Sequence, residues 1–179
     1  MRYAQIRELD ISNGEGVGVA LFVQGCRFAC KNCFNPDTWD FNGGKEWTQD
    51  TEDKLIELAS RPYIKRLSIL GGEPLADENL DGVLHLVNRF RLSFPNKTIW
   101  LYSGYTWNQV INPVITDDFN PSRDELLDKR KEIVKQCTVM VDGRYIDSQR
   151  DITLKWRGSL NQNIWKNYNG IWENITNEI

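Results

Sequence analysis

Three cysteines are spaced closely enough to bind one metal centre from a single loop. Cys26, Cys30 and Cys33 form a C-x3-C-x2-C pattern, so three of the four cysteines lie within eight residues. Thiolates are preferred ligands both of zinc and of iron–sulfur clusters. The spacing alone leaves open a zinc site, an iron–sulfur cluster and a redox-active or accidental group of cysteines.

The sequence offers no obvious fourth protein ligand for these cysteines. A structural zinc ion takes four ligands, and the remaining candidates are Cys137 and the single histidine, His85. Cys137 opens a predicted buried strand, where a cysteine most simply packs as a small hydrophobe. His85 lies in a predicted helix, where solvation or a local hydrogen bond accounts for it equally well. A cluster held by three cysteines would leave one iron open to a substrate.

A second motif, Gly71-Gly72-Glu73-Pro74, follows a predicted strand and precedes a predicted helix. Glycines at such a turn allow a ligand to approach the backbone, and a glutamate can accept hydrogen bonds from an ammonium group. An ordinary turn at the end of a strand would have the same residues. The functional interpretation gains weight because the cysteine loop lies one βα unit earlier.

Short apolar runs alternate with helical patterns along the chain, which predicts parallel βαβ units. Strands are predicted over residues 17–24, 66–70, 98–102 and 137–141, with a less certain fifth over 154–156. Helices are predicted over residues 51–60, from residue 80 until Pro95 stops the helix, and after a capping box over residues 122–125.

These elements predict an α/β fold in a single domain over residues 1–179. A closed eightfold barrel needs about 250 residues, so we expect a partial (β/α) barrel or an open sheet of about five or six parallel strands. Ligands bind at the C-terminal ends of such strands. The cysteine loop, the Gly71–Pro74 turn, Ser103-Gly104 and Asp142-Gly143 should therefore line one mouth.

The composition limits the classes of partner and the compartment. A net charge of −3 and a pI of about 5.3 do not favour nucleic acid or an anionic membrane as partners. The sequence has no signal-peptide pattern and no apolar run near the ~18 residues of a membrane span, so we expect a cytoplasmic protein. Its seven tryptophans favour a densely packed core over a partner interface. A P-loop, a dinucleotide-binding glycine motif and a Ser-His-Asp set are absent from the sequence.

The two motifs resemble those of the radical S-adenosylmethionine enzymes, in which C-x3-C-x2-C follows the first strand and a Gly-Gly-Glu-Pro-like motif follows the second. A narrower resemblance is to the activating proteins of anaerobic ribonucleoside-triphosphate reductases. The segments that carry it occur in that group's order: residues 13–16, 21–26, 35, 38–39, 71–75, 99–105, 141–143, 156–159 and 161–162.

The resemblance implies a partial barrel of the radical S-adenosylmethionine type. It also implies a reaction that begins with cleavage of S-adenosylmethionine at an iron–sulfur cluster. Cys26, Cys30 and Cys33 would ligate three irons of one [4Fe-4S] cluster, and S-adenosylmethionine would chelate the fourth. One electron would cleave S-adenosylmethionine to methionine and a 5′-deoxyadenosyl radical. The radical would take a hydrogen atom from a backbone glycine of the anaerobic ribonucleoside-triphosphate reductase large subunit. A low-potential donor such as a flavodoxin would reduce the cluster.

The resemblance also implies which residues bind S-adenosylmethionine. Gly71, Gly72 and Glu73 would hold its methionyl end, and Asn32, Cys33 and Phe34 would lie against its adenosyl part. Three of these positions depart from the family pattern. Asn32 stands where many radical enzymes have an aromatic residue, Phe34 where close relatives usually have tyrosine, and Glu73 where several have aspartate.

Two alternatives share parts of this pattern. A related activase, or a small-molecule radical enzyme of another pathway, would have the same three cysteines and a small barrel. Residues 102–105 and 156–159 favour the reductase activator over these enzymes. A zinc-binding interaction module is the alternative from a different class.

Overall fold

The computed structural model describes residues 1–114 and 120–179, and the strands within those residues form one eight-stranded sheet. The strands are β1 Arg2–Asp10, β2 Gly18–Val23, β3 Lys45–Glu46, β4 Arg66–Gly71, β5 Thr98–Tyr102, β6 Val139–Asp142, β7 Asn163–Tyr168 and β8 Ile171–Asn174. Their order across the sheet is β3-β1-β2-β4-β5-β6-β7-β8.

The centre of the sheet is parallel and both edges are antiparallel. Strands β2, β4, β5 and β6 run parallel, whereas β1, β3, β7 and β8 each pair antiparallel with their neighbours. The described residues therefore contain fewer parallel strands than the number predicted. The short connections β1–β2 and β7–β8 account for the antiparallel pairing within those two strand pairs, because parallel strands need a long crossover. The curvature of a partial barrel stays a prediction.

Four α-helices connect or follow the parallel strands within the described residues. They are α1 Gln49–Ser60, α2 Leu80–Ser93, α3 Trp107–Ile111 and α4 Pro121–Gln136. The predicted capping box over residues 122–125 is wrong, because α4 begins earlier. Asn120 is the N-cap, and its side chain accepts a hydrogen bond from the Arg123 backbone N–H at 3.2 Å. None of the described helices combines the length and the apolar character needed to cross a membrane.

The helices cover one face of the sheet and form the main core with it. Leu21, Ile69 and Leu101 point to this face and pack with residues of α1, α2 and α4. Cys137 is 1% exposed in the same core, which confirms that it packs as a small hydrophobe. Alternate strand residues such as Trp100 point to the opposite face, because successive side chains of a strand alternate between faces.

The predicted strand over residues 154–156 is wrong. These residues lie in the irregular connection between β6 and β7, which we call the β6–β7 loop (residues 143–162). Trp156 has a φ of 58°, a left-handed conformation that a strand does not contain. Its ring packs edge-on against Trp100 at 4.8 Å between centroids. Trp100 is buried and the other six tryptophans are partly buried, so their predicted role in packing stays a prediction.

Candidate functional site

The cysteine loop leaves β2 through a tight turn and folds back on the segment that follows it. Gly25 has a φ of 100°, and its N–H donates to the Thr38 carbonyl at 2.7 Å. The Cys26 N–H donates to the Trp39 carbonyl at 3.0 Å, and the Cys33 N–H donates to the Cys30 carbonyl at 3.1 Å. These backbone bonds fix the path of the loop around the three thiols.

The glycine turn after β4 is hydrogen-bonded to the start of the cysteine loop. The Gly72 N–H donates to the Val23 carbonyl at 2.9 Å, and the Glu73 N–H donates to the Gly25 carbonyl at 2.8 Å. A Cβ atom at position 72 would lie 2.5 Å from the Gly25 carbonyl oxygen. The close approach of the two turns therefore requires glycine at position 72.

Asn79 is the side chain that connects these two turns. Its Nδ2 donates to the Gln24 carbonyl at 3.0 Å and to the Glu73 carbonyl at 2.9 Å. The residue is 1% exposed, so both of its bonds are shielded from water. The cysteine loop and the glycine turn consequently form one hydrogen-bonded unit.

Glu73 is buried, and protein groups already bond both of its carboxylate oxygens. Its Oε1 accepts from the Leu75 N–H and the Ser103 hydroxyl, each at 2.8 Å, and its Oε2 accepts from the Gly104 N–H at 2.7 Å. Burial raises its pKa to about 7, and the three donors act in the opposite direction. The side chain therefore braces the turns after β4 and β5. Its predicted role toward the methionyl end of S-adenosylmethionine stays a prediction.

A cavity of about 660 Å³ lies on the face of the sheet opposite the helices, at the C-terminal ends of the parallel strands. The predicted site residues that line it are Cys26, Cys30, Cys33, Phe34, Gly71, Gly72 and Glu73. Asn32 does not line it, and its side chain instead donates to Asp147 Oδ2 at 2.9 Å. The structure thus brings together every predicted site residue except this one.

Both predicted residues of the turn after β5 line the cavity, but only one of the two after β6 does. Ser103, Gly104 and Gly143 line the cavity, as expected for strand ends. Asp142 does not, and the prediction that it would is wrong. Its buried carboxylate accepts from the Trp107 N–H at 2.5 Å and from Trp165 Nε1 at 3.2 Å. Asp142 therefore ties α3 to β7.

Two cavity-lining residues that sequence reasoning missed carry unsatisfied polar atoms. Trp39 Nε1 and Tyr102 Oη are buried and have no hydrogen-bond partner among the described residues. Buried polar groups are almost always hydrogen-bonded, so these two atoms are exceptions to the usual pattern among the described residues. Tyr102 could have been found from its position, since it ends a predicted strand directly before Ser103-Gly104.

Three free thiols, those of Cys26, Cys30 and Cys33, line the same cavity. In residues 1–114 and 120–179, no group of three or more His, Cys, Asp or Glu side chains could hold one metal ion. Zinc draws all of its ligands around one ion. A [4Fe-4S] cluster takes each thiolate on a separate iron, so three thiols at one cavity can hold such a cluster and leave one iron open.

Two thiols of the loop, those of Cys26 and Cys30, have raised pKa values that favour their protonated form. Burial raises the pKa of Cys26 to about 11, and burial followed by the neighbouring Cys33 raises that of Cys30. Metal ligation requires thiolates, so assembly of a cluster has to release protons here.

The pH dependence of alkylation tests this protonation. Between pH 8 and pH 10 we expect alkylation of Cys26 in the folded apo chain to accelerate about tenfold per pH unit, because its pKa of about 11 keeps most of it protonated. The site-specific rate is measured by mass spectrometry. The urea-unfolded chain is the control, where the ordinary pKa of 9.0 makes the rate level off above that pH. A folded chain whose rate levels off in the same range would contradict the raised pKa.

Comparison with known proteins assigns the chain to a family. Residues 12–165 match a family described as a 4Fe-4S single cluster domain. A Vibrio cholerae protein named anaerobic ribonucleoside-triphosphate reductase-activating protein is 40% identical over 164 residues, which is 90% of this chain and 96% of that protein. This chain belongs to that family. Proteins of the same name from Escherichia coli K12 and phage T4 are 37% and 34% identical, over 90% and 97% of this chain and 96% and 99% of their own lengths.

Membership of the anaerobic ribonucleoside-triphosphate reductase-activating protein family confirms the narrower of the two resemblances. The matched residues 12–165 include the cysteine loop, the glycine turn and the β6–β7 loop. Because the matching family is a 4Fe-4S domain, the comparison favours the iron–sulfur interpretation over zinc.

Proposed function

We propose that this chain activates an anaerobic ribonucleoside-triphosphate reductase by forming a glycyl radical on its large subunit. The observation that supports this most is the convergence of three thiols and the Gly71–Glu73 turn on one cavity in a member of this family. When bound, a reduced [4Fe-4S] cluster supplies the electron that cleaves S-adenosylmethionine to methionine and a 5′-deoxyadenosyl radical. Transfer of one hydrogen atom from a glycine Cα then gives 5′-deoxyadenosine and the glycyl radical.

In this proposal the chain's own residues bind, orient and shield the reacting groups. Cys26, Cys30 and Cys33 hold three irons, and the backbone of Gly71, Gly72 and Glu73 faces the methionyl end. Cys33 and Phe34 lie against the adenosyl part, with Asn32 supporting the loop. Phe34 suits this role because its ring is exposed at the mouth and packs against Tyr145 with centroids 4.9 Å apart.

The electron has to come from outside the chain. Three of the four cysteines are assigned to the proposed cluster, and the fourth, Cys137, is buried in the helix-side core. A second cluster therefore has no cysteine set available. Iron–sulfur potentials span about −700 to +450 mV, and reduction of a sulfonium needs the low end. We propose a low-potential cytoplasmic donor such as a flavodoxin.

The test is anaerobic incubation of the reconstituted, reduced chain with S-adenosylmethionine and the reductase. We expect a glycyl-radical signal by electron paramagnetic resonance and one 5′-deoxyadenosine for each radical formed. Omitting S-adenosylmethionine is the control and should give neither product. Formation of 5′-deoxyadenosine without a glycyl radical would redirect the proposal to another substrate. A loaded cluster that forms no 5′-deoxyadenosine would overturn the reaction class.

A further inference from the structure

The substrate glycine must reach the cavity, because atoms that react have to approach within about 3–3.5 Å. A protein substrate therefore contacts the chain around the cavity mouth, one wall of which is the β6–β7 loop. We propose that this loop is the surface on which the reductase docks, and that it takes an acidic segment with apolar side chains. This role of the loop rests on the function proposed above.

Several apolar side chains of the loop are exposed, and one of them lines the cavity. Ile152 is 85% exposed and lines the cavity, and Leu160 and Ile146 of the same loop are 57% and 38% exposed. Phe34, on the cysteine loop, is 60% exposed at the same cavity. Single exposed apolar residues are ordinary, but Ile152 and Phe34 at one cavity, with two more on the same loop, are typical of a contact surface.

The charge of the loop points to an acidic partner. Its four basic and two acidic residues give it a net charge of +2, whereas the whole chain has −3. The two acids are engaged locally: Asp147 accepts from Asn32 at 2.9 Å, and Asp151 accepts from Thr153 at 2.8 Å.

Two arginines of the loop stack on aromatic rings and form no ion pair with a described carboxylate. The Arg144 and Arg150 guanidinium groups lie over the Phe28 and Phe34 rings at 4.3 and 5.8 Å, and no described acid forms an ion pair with either arginine. Stacked guanidinium groups at the mouth are suited to binding carboxylates of an incoming chain.

The loop is held in shape before any partner binds. The Leu160 N–H donates to the Gln149 carbonyl at 2.9 Å, and Gln162 Oε1 accepts from the Gly158 and Ser159 N–H groups at 2.8 and 3.1 Å. A surface that is already ordered loses less entropy on association. The hydrogen bond between Asn32 and Asp147 also connects the β6–β7 loop to the cysteine loop. The proposed docking surface is therefore bonded to the segment that carries the three cysteines.

The test separates docking from chemistry. Ile146→Asp combined with Leu160→Asp changes exposed side chains that do not line the cavity. We expect the Kd for the reductase to rise at least about tenfold, and the reductase concentration needed for half-maximal glycyl-radical formation to rise with it. Formation of 5′-deoxyadenosine without reductase should stay unchanged. Lys155→Glu should weaken binding most at low salt.

Matched controls lie on helices away from the mouth. Leu92→Asp on α2 changes a side chain that is 87% exposed, and Lys54→Glu on α1 reverses an exposed charge; both should bind the reductase like the unchanged chain. Normal affinity in the Ile146→Asp/Leu160→Asp variant, or equal losses in the controls, would overturn the docking surface and leave the proposed reaction intact. A chain that binds the reductase normally but forms no glycyl radical would overturn the proposed function instead.

Discussion

Replacing Cys30 with alanine is expected to remove the cluster and abolish cleavage of S-adenosylmethionine. Removing a group that hydrogen-bonds to a metal ligand typically lowers metal affinity or activity about 10–100-fold. Removing the ligand itself should therefore reduce 5′-deoxyadenosine formation by more than ~100-fold. Iron and sulfide per chain should fall toward zero after anaerobic reconstitution. Both are measured by colorimetric analysis, and the product is measured by chromatography.

Cys137→Ala is the matched control, since it removes the cysteine outside the cluster loop. The Cys137 thiol donates to the Ile133 carbonyl at 3.2 Å inside the core. We expect this variant to keep its iron and its product, with unfolding free energy lowered by about 1 kcal/mol. The proposed ligand set would be wrong if Cys137→Ala lost the cluster while Cys30→Ala retained it.

Asp10→Ala should cause a large loss of stability, because it removes the only carboxylate that forms an ion pair with the buried Arg66 among the described residues. Arg66 donates to Asp10 Oδ2 at 2.7 Å, and the two side chains are 0% and 2% exposed. Breaking a buried ion pair by removing one partner typically costs about 3–5 kcal/mol. The free energy of unfolding of the apo chain in urea measures this loss.

An exposed ion pair supplies the comparison. Arg61 and Glu8 approach to 3.6 Å with side chains 40% and 52% exposed, so Glu8→Ala should cost less than about 1 kcal/mol. Adding Arg66→Met to Asp10→Ala removes the stranded charge and should restore part of the lost stability. If Asp10→Ala and Glu8→Ala lower the free energy of unfolding equally, the predicted large loss is wrong and other groups stabilise the Arg66 charge.

The parallel strands and the placement of the cysteines were predictable from local signals. Residues 66–70 and 98–102 are short apolar runs followed by glycine turns, and both are strands. Once the strands are parallel, their C-terminal ends share an edge, which places Cys26 beside Gly72 and Ser103. The rule needs no knowledge of side-chain packing, and this is why it succeeded.

The edge strands and several contacts were not predictable, because they depend on distant neighbours. Strand β1 is largely exposed or half-buried and lacks a clear apolar pattern. Strand β7 is fixed in part by Trp165, whose ring stacks on Trp107 at 4.6 Å between centroids. Arg66 looks like an ordinary charged residue at a strand end until Asp10, 56 positions away, is brought beside it.

The β6–β7 loop has a consequence for biosynthesis. It forms a wall of the cavity, yet it is translated more than 100 residues after the three cysteines. The thiols therefore leave the ribosome well before their enclosure exists. Insertion of the cluster into its finished site has to follow release of most of the chain, and the nascent cysteines depend on reducing surroundings until then.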